Sequence, residues 1–313
     1  MDFLSADPIL IMVRALFTLF AGAVGIGQAA FSQIAPISVE TPYNHITIEY
    51  SGSIVEMRSL WRTTVYRESA IDMSNPSQLI VPYTRFVAAS AVFNSSPNMA
   101  LMIGLGGGGF NQFFEKAFPR AVLDTVEIDS VVLKLAQQYM AFRPSGNDHV
   151  SIADGRMFLR RCKTQYDWII LDAFRGGYVP PHLKTLEFYR LVQAHLRPNG
   201  IFVANVHSNT ALFPSDLRTI YAVFPQVGFF DVSTTPNAII VGANFPSPRL
   251  EETLKKVRYR DFNETFWRSV DFTTIQKSFH IVDRSANAAA PLLTDDFAPT
   301  EFLEAAQRNN LRQ

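Results

Sequence analysis

Met102-Ile103-Gly104-Leu105-Gly106-Gly107-Gly108-Gly109, followed by Val126-Glu127-Ile128-Asp129, is the stretch on which the fold of this chain turns. An apolar strand that runs into clustered glycines and opens a helix lets backbone approach a ligand closely, and an acid roughly twenty positions later can accept hydrogen bonds from ribose hydroxyls. The pattern predicts a nucleoside-bearing cofactor.

The segments around it alternate. Strands are predicted at 100–104, 122–128, 149–153, 168–171 and 201–206. Helices are predicted at 110–118, 131–142, 156–162 and 183–196, the last ended by Arg197-Pro198-Asn199-Gly200. Such alternation builds a parallel sheet covered on both faces, with ligands outside the carboxyl ends of its strands. Residues 228–233 and 238–242, joined through Thr234-Thr235-Pro236-Asn237, form a hairpin and put antiparallel strands at one edge. A dinucleotide dehydrogenase does not normally end its sheet this way, and the spacing of Gly104, Gly106 and Gly109 alone is weak support for a nicotinamide. The predicted fold is therefore α/β: a Rossmann-like class I methyltransferase sheet of seven strands, the last one antiparallel. A small antiparallel β-domain precedes it, drawn from 43–50, 54–60 and 63–71, with a connecting helix at 82–93. The expected organisation is an apolar segment at 1–37, the β-domain and its helix at 38–97, and the cofactor-binding domain at 98–313.

Composition narrows the function classes. The 313 residues are 48% hydrophobic and 18% charged, which is ordinary for a globular protein with a sizeable core. Twenty-eight basic residues balance 28 acidic ones, so net charge offers no argument for nucleic acid as a partner. The single cysteine, Cys162, excludes an internal disulfide and a cysteine metal cluster, and no histidine pair has metal-ligand spacing, so no metal is expected. Residues 9–31 are apolar around Arg14, and Gly27-Gln28-Ala29 offers small residues for a signal peptidase. Signal peptide, membrane anchor and packed or interfacial helix all stay open there. The implied cofactor points to the cytoplasm, with membrane association through 9–31 and export to a periplasm or medium as the alternatives.

Further motifs sharpen the class. A strand pair before the core, the glycine loop, Glu127, Asp154-Gly155, Asp172 and Leu293-Thr294-Asp295-Asp296-Phe297-Ala298-Pro299 occur in an order and spacing that resembles the spermidine synthase-like family. The resemblance runs from about residue 40 to the carboxyl terminus. It implies a transferase that binds S-adenosylmethionine or its decarboxylated form, acts on a small-molecule acceptor and assembles as a homodimer. By position, Gly104, Gly106, Gly107 and Gly108 form the cofactor loop, Glu127 holds the ribose, Ile128 packs on the adenine, and Asp154 with Gly155 faces the adenine amino group. Tyr83 stands at the substrate cleft and Asp172 matches the general base. Glu68, Arg175 and His182 are the expected acceptor contacts.

Three departures from the family pattern qualify the reaction. Gly107 replaces an aspartate of the loop, Arg175 replaces a second acid three residues beyond the base, and Glu68 stands where glutamine is common. A diammonium acceptor would meet Arg175 at a cost of roughly 4 kcal/mol for a contact near 4 Å in an effective dielectric of about 20. Loss of the loop acid favours a donor that keeps its own carboxylate. The departures therefore point to intact S-adenosylmethionine and to transfer of a methyl or three-carbon amino group to a neutral or anionic acceptor. Aminopropyl transfer to a polyamine, lyase or ring-closing chemistry on the cofactor alone, and a non-catalytic binding or scaffold role are the alternatives. Plainer roles also exist: Asp154 as a cap for the helix at 156–162, His182 as a cap for the helix at 183–196, and Asp295-Asp296 as a cap for a helix at 299–306.

Overall fold

The computed structural model describes residues 35–300, except 62, 284 and 286, together with residue 303. The apolar run at 9–31, with every expectation of a signal, an anchor or membrane contact, lies outside the described residues, as does most of the helix predicted at 299–306. Among the described residues no helix is long and apolar enough to cross a membrane.

The first sheet has four antiparallel strands in sequence order, β1 (Ile37–Glu40), β2 (His45–Ser51), β3 (Ile54–Trp61) and β4 (Thr64–Asp72). The sequence reading had three strands; β1 is the addition, and its four residues pair only with β2. Alternation along β2 and β3 turns Ile46, Ile48, Val55 and Met57 inward. They pack on Val132, Leu135 and Met140 from the region of the second sheet, which fixes the small sheet over the end of the large one.

The large sheet follows α1 (Pro82–Ala89), which continues as a 3-10 turn over Ser90–Phe93 rather than as one helix to residue 93. Its elements are β5 (Met99–Ile103), α2 (Gly109–Ala117), β6 (Val122–Glu127), α3 (Ser130–Tyr139), β7 (Asp148–Ile152), α4 (Gly155–Arg161), β8 (Tyr166–Leu171), α5 (Leu186–Ala194) and β9 (Leu196–His207). Then come α6 (Phe213–Tyr221), β10 (Gln226–Asp231), β11 (Asn237–Ala243), α7 (Leu250–Lys256), α8 (Glu264–Ser269), α9 (Phe272–Ser278) and β12 (Phe279–Ile281). The strand order is β12-β10-β11-β9-β8-β5-β6-β7. Strands β7, β6, β5, β8 and β9 are parallel, and β11 runs against β9.

Two boundaries differ from expectation for local reasons. The segment 183–196 is a 3-10 turn at Pro181–Leu183 and then α5, because the Thr185 side chain accepts from the Phe188 N–H and starts the helix there. Arg197-Pro198-Asn199-Gly200 lies inside β9, where the register against β8 jumps from Leu196 to Ile201. The sheet has eight strands rather than seven: β12 adds to β10, lying so close that a Cβ on Gly228 would fall 2.4 Å from the Phe279 ring.

Core residues on both faces of the central strands are fully buried, among them Leu101, Ile169, Ile170, Phe202, Val203, Ile239 and Ile240. Each contributes about 1.5–3 kcal/mol by burial, so the strand ends are held rigidly where ligands of such sheets bind. Because β11 is reversed, its first residue, Asn237, lies opposite His207, the last residue of β9. A polar side chain at the start of β11 therefore shares the edge where the parallel strands end.

Candidate active site

A cavity of about 320 Å³ opens at that edge. Its floor comes from the ends of β5, β6, β7 and β8, and residues of the small sheet, among them Ile46, Met57 and Glu68, close over it. Gly104, with φ of 105°, and Gly106, with φ of 53°, adopt the left-handed backbone that glycine alone enters easily. A Cβ on Gly104 would sit 2.1 Å from the Asp172 carbonyl oxygen, so the loop and the end of β8 touch only because that side chain is absent.

The loop grips Glu127 through backbone. The Leu105 N–H donates to Glu127 Oε2 at 3.0 Å and the Asp129 N–H to Oε1 at 2.9 Å. Burial raises the Glu127 carboxyl above its usual range, and these N–H bonds pull it back. Asp129 caps α3 through Oδ1, while its buried Oδ2 has no partner among the described residues. Ile128 keeps 40% of its surface exposed at the cavity, unusual for a large apolar side chain beside a core strand. Asp154 accepts from the Met157 N–H at 2.9 Å, as a cap does, and it also lines the cavity. His182 does not cap a helix; its Nε2 lies 2.7 Å from Asp154 Oδ2.

Gly107 and Gly108 stand apart from the other loop glycines. Neither lines the cavity. A Cβ on Gly107 would lie 2.6 Å from both Sδ and Cε of Met140, and one on Gly108 would lie 2.4 Å from the Phe142 ring. These two glycines, expected at the cofactor, instead let the loop pack on the chain that leaves α3. Gly155 lines the cavity, but its missing side chain makes room for Ile103 at 2.4 Å.

On the β8 side, Tyr83 donates its hydroxyl to Asp172 Oδ2 at 3.2 Å, and Asn205 donates Nδ2 to Asp172 Oδ1 at 2.8 Å. Burial raises the Asp172 carboxyl, with both hydrogen bonds opposing. The Tyr83 phenol is held well above its ordinary range by burial first and by the charges of Asp172 and Glu68 second. Glu68 accepts from the Ser59 hydroxyl and is pushed up to about 7, chiefly by burial, with Asp172 and Glu127 adding to the shift. Arg175 lines the cavity, but its guanidinium sits 5.5 Å over the Trp61 ring and its Nε donates to the Tyr43 carbonyl at 3.3 Å. A second cavity of about 510 Å³ adjoins the first and shares Glu68, Tyr83 and Phe174 with it; Asn205, His207 and Asn237 complete its inner wall.

Sequence reasoning missed Asn205, Asn237 and Ser59. A lone amide inside the apolar run Ile201-Phe202-Val203-Ala204-Asn205-Val206 was the available signal for the first. The helix that Asp295-Asp296 was expected to cap lies mostly outside the described residues; among them Asp295 pairs with Arg156 at 2.5 Å and accepts from Thr185 at 2.7 Å, and Arg156 also donates to the His182 carbonyl at 3.1 Å. The segment near the carboxyl terminus thereby braces the loop that carries His182.

The residues fit an adenosyl sulfonium ligand on two counts. A glycine cradle that a Cβ would fill lies beside a carboxylate at the end of β6, and an unpartnered buried oxygen of Asp129 waits on the same wall. Fold and site together define a transferase of the class that uses S-adenosylmethionine or a relative of it. The spermine/spermidine synthase domain matches residues 81–247, and the chain belongs to that family. It is 30% identical over 230 residues to a polyamine aminopropyltransferase of Vibrio vulnificus, covering 72% of this chain and 77% of that protein. A probable spermidine synthase from Corynebacterium glutamicum has the same fold, with TM-score 0.64 and 19% identity over 85% of this chain and 98% of that one. Human methyltransferase-like protein 13, solved in complex with SAH, superposes with TM-score 0.50 at 28% identity, covering 56% of this chain and 93% of that one.

Proposed function

We propose that this chain transfers a three-carbon amino group from an adenosyl sulfonium donor to an amine, with Asp172 as general base. The observation that carries the reading is the charge of the main cavity. Glu68, Glu127, Asp129, Asp154 and Asp172 line it, against one guanidinium, Arg175, which is committed to Trp61 and Tyr43. The same Coulomb estimate that argued for repulsion by Arg175, about 4 kcal/mol at 4 Å, now argues for attraction of an ammonium by any one of these carboxylates. A protonated amine fits this wall better than the neutral or anionic acceptor expected from the sequence.

When bound, the sulfonium supplies a carbon activated toward a nucleophile. Glu127 and the Gly104–Gly106 turn would hold its sugar, with Ile128, Asp154 and Gly155 at its base. Asp172 removes the proton from the attacking nitrogen at a carboxylate oxygen while Tyr83 and Asn205 fix its orientation, since an ammonium has no lone pair to offer. Glu68 faces the second nitrogen of a diamine.

A second reading, methyl transfer from intact S-adenosylmethionine, draws on Gly107. No acid stands there for a donor ammonium, and Met140 occupies the space an aspartate would need. Product analysis separates the two. Purified protein is incubated with each donor form, with and without a diamine; amine-dependent methylthioadenosine from the decarboxylated donor is expected. Adenosylhomocysteine from the intact donor would replace the first reading with the second, and no amine-dependent product from either would overturn both.

A further inference from the structure

Asn205 is 1% exposed and Asn237 is 8% exposed, positions where an amide destabilises the fold unless its polar atoms are bonded. Both are bonded, and in sequence. Asn237 Nδ2 donates to Asn205 Oδ1 at 2.9 Å, and Asn205 Nδ2 donates to Asp172 Oδ1 at 2.8 Å. The sheet register makes this chain of bonds. Leu171 pairs with Ala204, so Asp172, the first residue past β8, lies beside Asn205 of β9; Asn237 pairs with His207 and so reaches Asn205 on the diagonal.

We propose that Asn205 and Asn237 are positioning residues forming a one-way amide relay that keeps Asp172 ionised and aimed. An ionised carboxylate only accepts, so Asn205 must turn its nitrogen toward Asp172. Turned over, it would set oxygen against oxygen. Asn237, by donating to Asn205 Oδ1, holds the productive orientation from behind. The groups facing Asp172 are Tyr83 from α1, Glu68 from β4 and Asn205 from β9. Arg175, on the loop after Asp172, has its guanidinium over Trp61. Two neutral donors, Tyr83 and Asn205, therefore oppose the burial of the base, and the state of one depends on Asn237. The outer end of the relay lines the second cavity, so an acceptor lodged there touches the network that sets the base. The proposal rests on the reading in which Asp172 is the general base.

The test titrates Asp172 directly in the unliganded full-length protein, by carbon-13 NMR of its carboxyl, assigned by loss of the signal in Asp172→Asn. Asn237→Leu keeps the shape and removes the donor, Asn237→Ala removes it with less bulk, and Asn205→Leu removes the contact to the carboxylate outright. The midpoint is expected to rise about tenfold in proton affinity in both Asn237 variants and further in Asn205→Leu, with the acidic limb of kcat moving the same way and donor KM unchanged. A midpoint that moves in Asn205→Leu and stays put in both Asn237 variants, each with a wild-type-like melting curve, overturns the relay. Turnover that survives Asp172→Asn would instead remove the base role, an outcome read separately from the titration.

Discussion

On the β6 side of the cleft Glu127 is held by two backbone N–H groups, those of Leu105 and Asp129, whereas on the β8 side Asp172 is held by two side chains, Tyr83 and Asn205. The donors to Glu127 lie 22 and 2 residues away in sequence; those to Asp172 lie 89 and 33 away. Backbone donors come with the path of the chain and tolerate many side-chain changes. Side-chain donors exist only when α1, β9 and β11 are all in place, so the Asp172 flank depends on the whole sheet while the Glu127 flank is nearly a local motif.

Gly104 is where the flanks meet, and Gly104→Ala is the harshest way to break the comparison. The new Cβ collides with the Asp172 carbonyl oxygen, a backbone atom that cannot swing aside, at a residue with φ of 105°. Destabilisation beyond about 3 kcal/mol is expected, felt on both flanks at once. Thermal melts check it against Gly146→Ala, where nothing lies within 4 Å of the added atom.

Asp172→Asn should separate the flanks. The amide cannot take a proton, so kcat is expected to fall by about 10³. Donor affinity, measured by calorimetry, should stay within about threefold, because Glu127 and the loop are untouched. An equal loss in both would mean that the two flanks are one unit.

The contrast also explains what could be read from sequence. The position of the glycine run, Glu127, Asp154 and Asp172 at or just past strand ends was legible, because strand period and turn residues report such positions directly. The pairing of His182 with Asp154, the withdrawal of Arg175 onto Trp61 and the Asn237-Asn205-Asp172 chain were not, because each joins segments whose meeting depends on register and loop packing. The strand β12 was missed for a related reason: three residues carry too little alternation to register as a strand, and Phe279 is held there by Gly228 of β10. Gly107 and Gly108 differ from their neighbours in a way the sequence does not show. The four consecutive glycines 106–109 look equivalent in sequence, yet of these Gly106 and Gly109 line the cavity while Gly107 and Gly108 pack against Met140 and Phe142.

Glu127→Gln probes the other flank more gently. A glutamine presents one oxygen to two backbone donors, leaving either the Leu105 or the Asp129 N–H facing an NH₂ group. That loss lowers stability in the free and bound states alike; donor affinity should fall roughly tenfold because a ribose hydroxyl would meet a neutral amide in place of a charged acceptor, with kcat at saturating donor little changed. Calorimetry and saturation kinetics check it; a large fall in kcat would place Glu127 in the chemistry rather than in binding.

Glu68→Gln is expected to leave the fold and the donor site intact and to act through pH alone, at the boundary between the cavities. In the folded chain burial pushes the Glu68 carboxyl from 4.5 up to about 7, so between those values the folded state keeps a proton that the unfolded state has released. Stability then falls as pH rises through that window, by about 3 kcal/mol once both states are ionised. Glutamine carries no such penalty. The melting temperature of Glu68→Gln should match wild type near pH 4.5 and exceed it by a few degrees at pH 8, in the absence of ligand. A diamine lodged against Glu68 offsets the same penalty by supplying the missing charge, so the variant that gains stability should lose acceptor affinity over the same pH range. Equal melting differences at pH 5 and pH 8 would mean that Glu68 does not ionise there, and its role in holding an ammonium would fall with it.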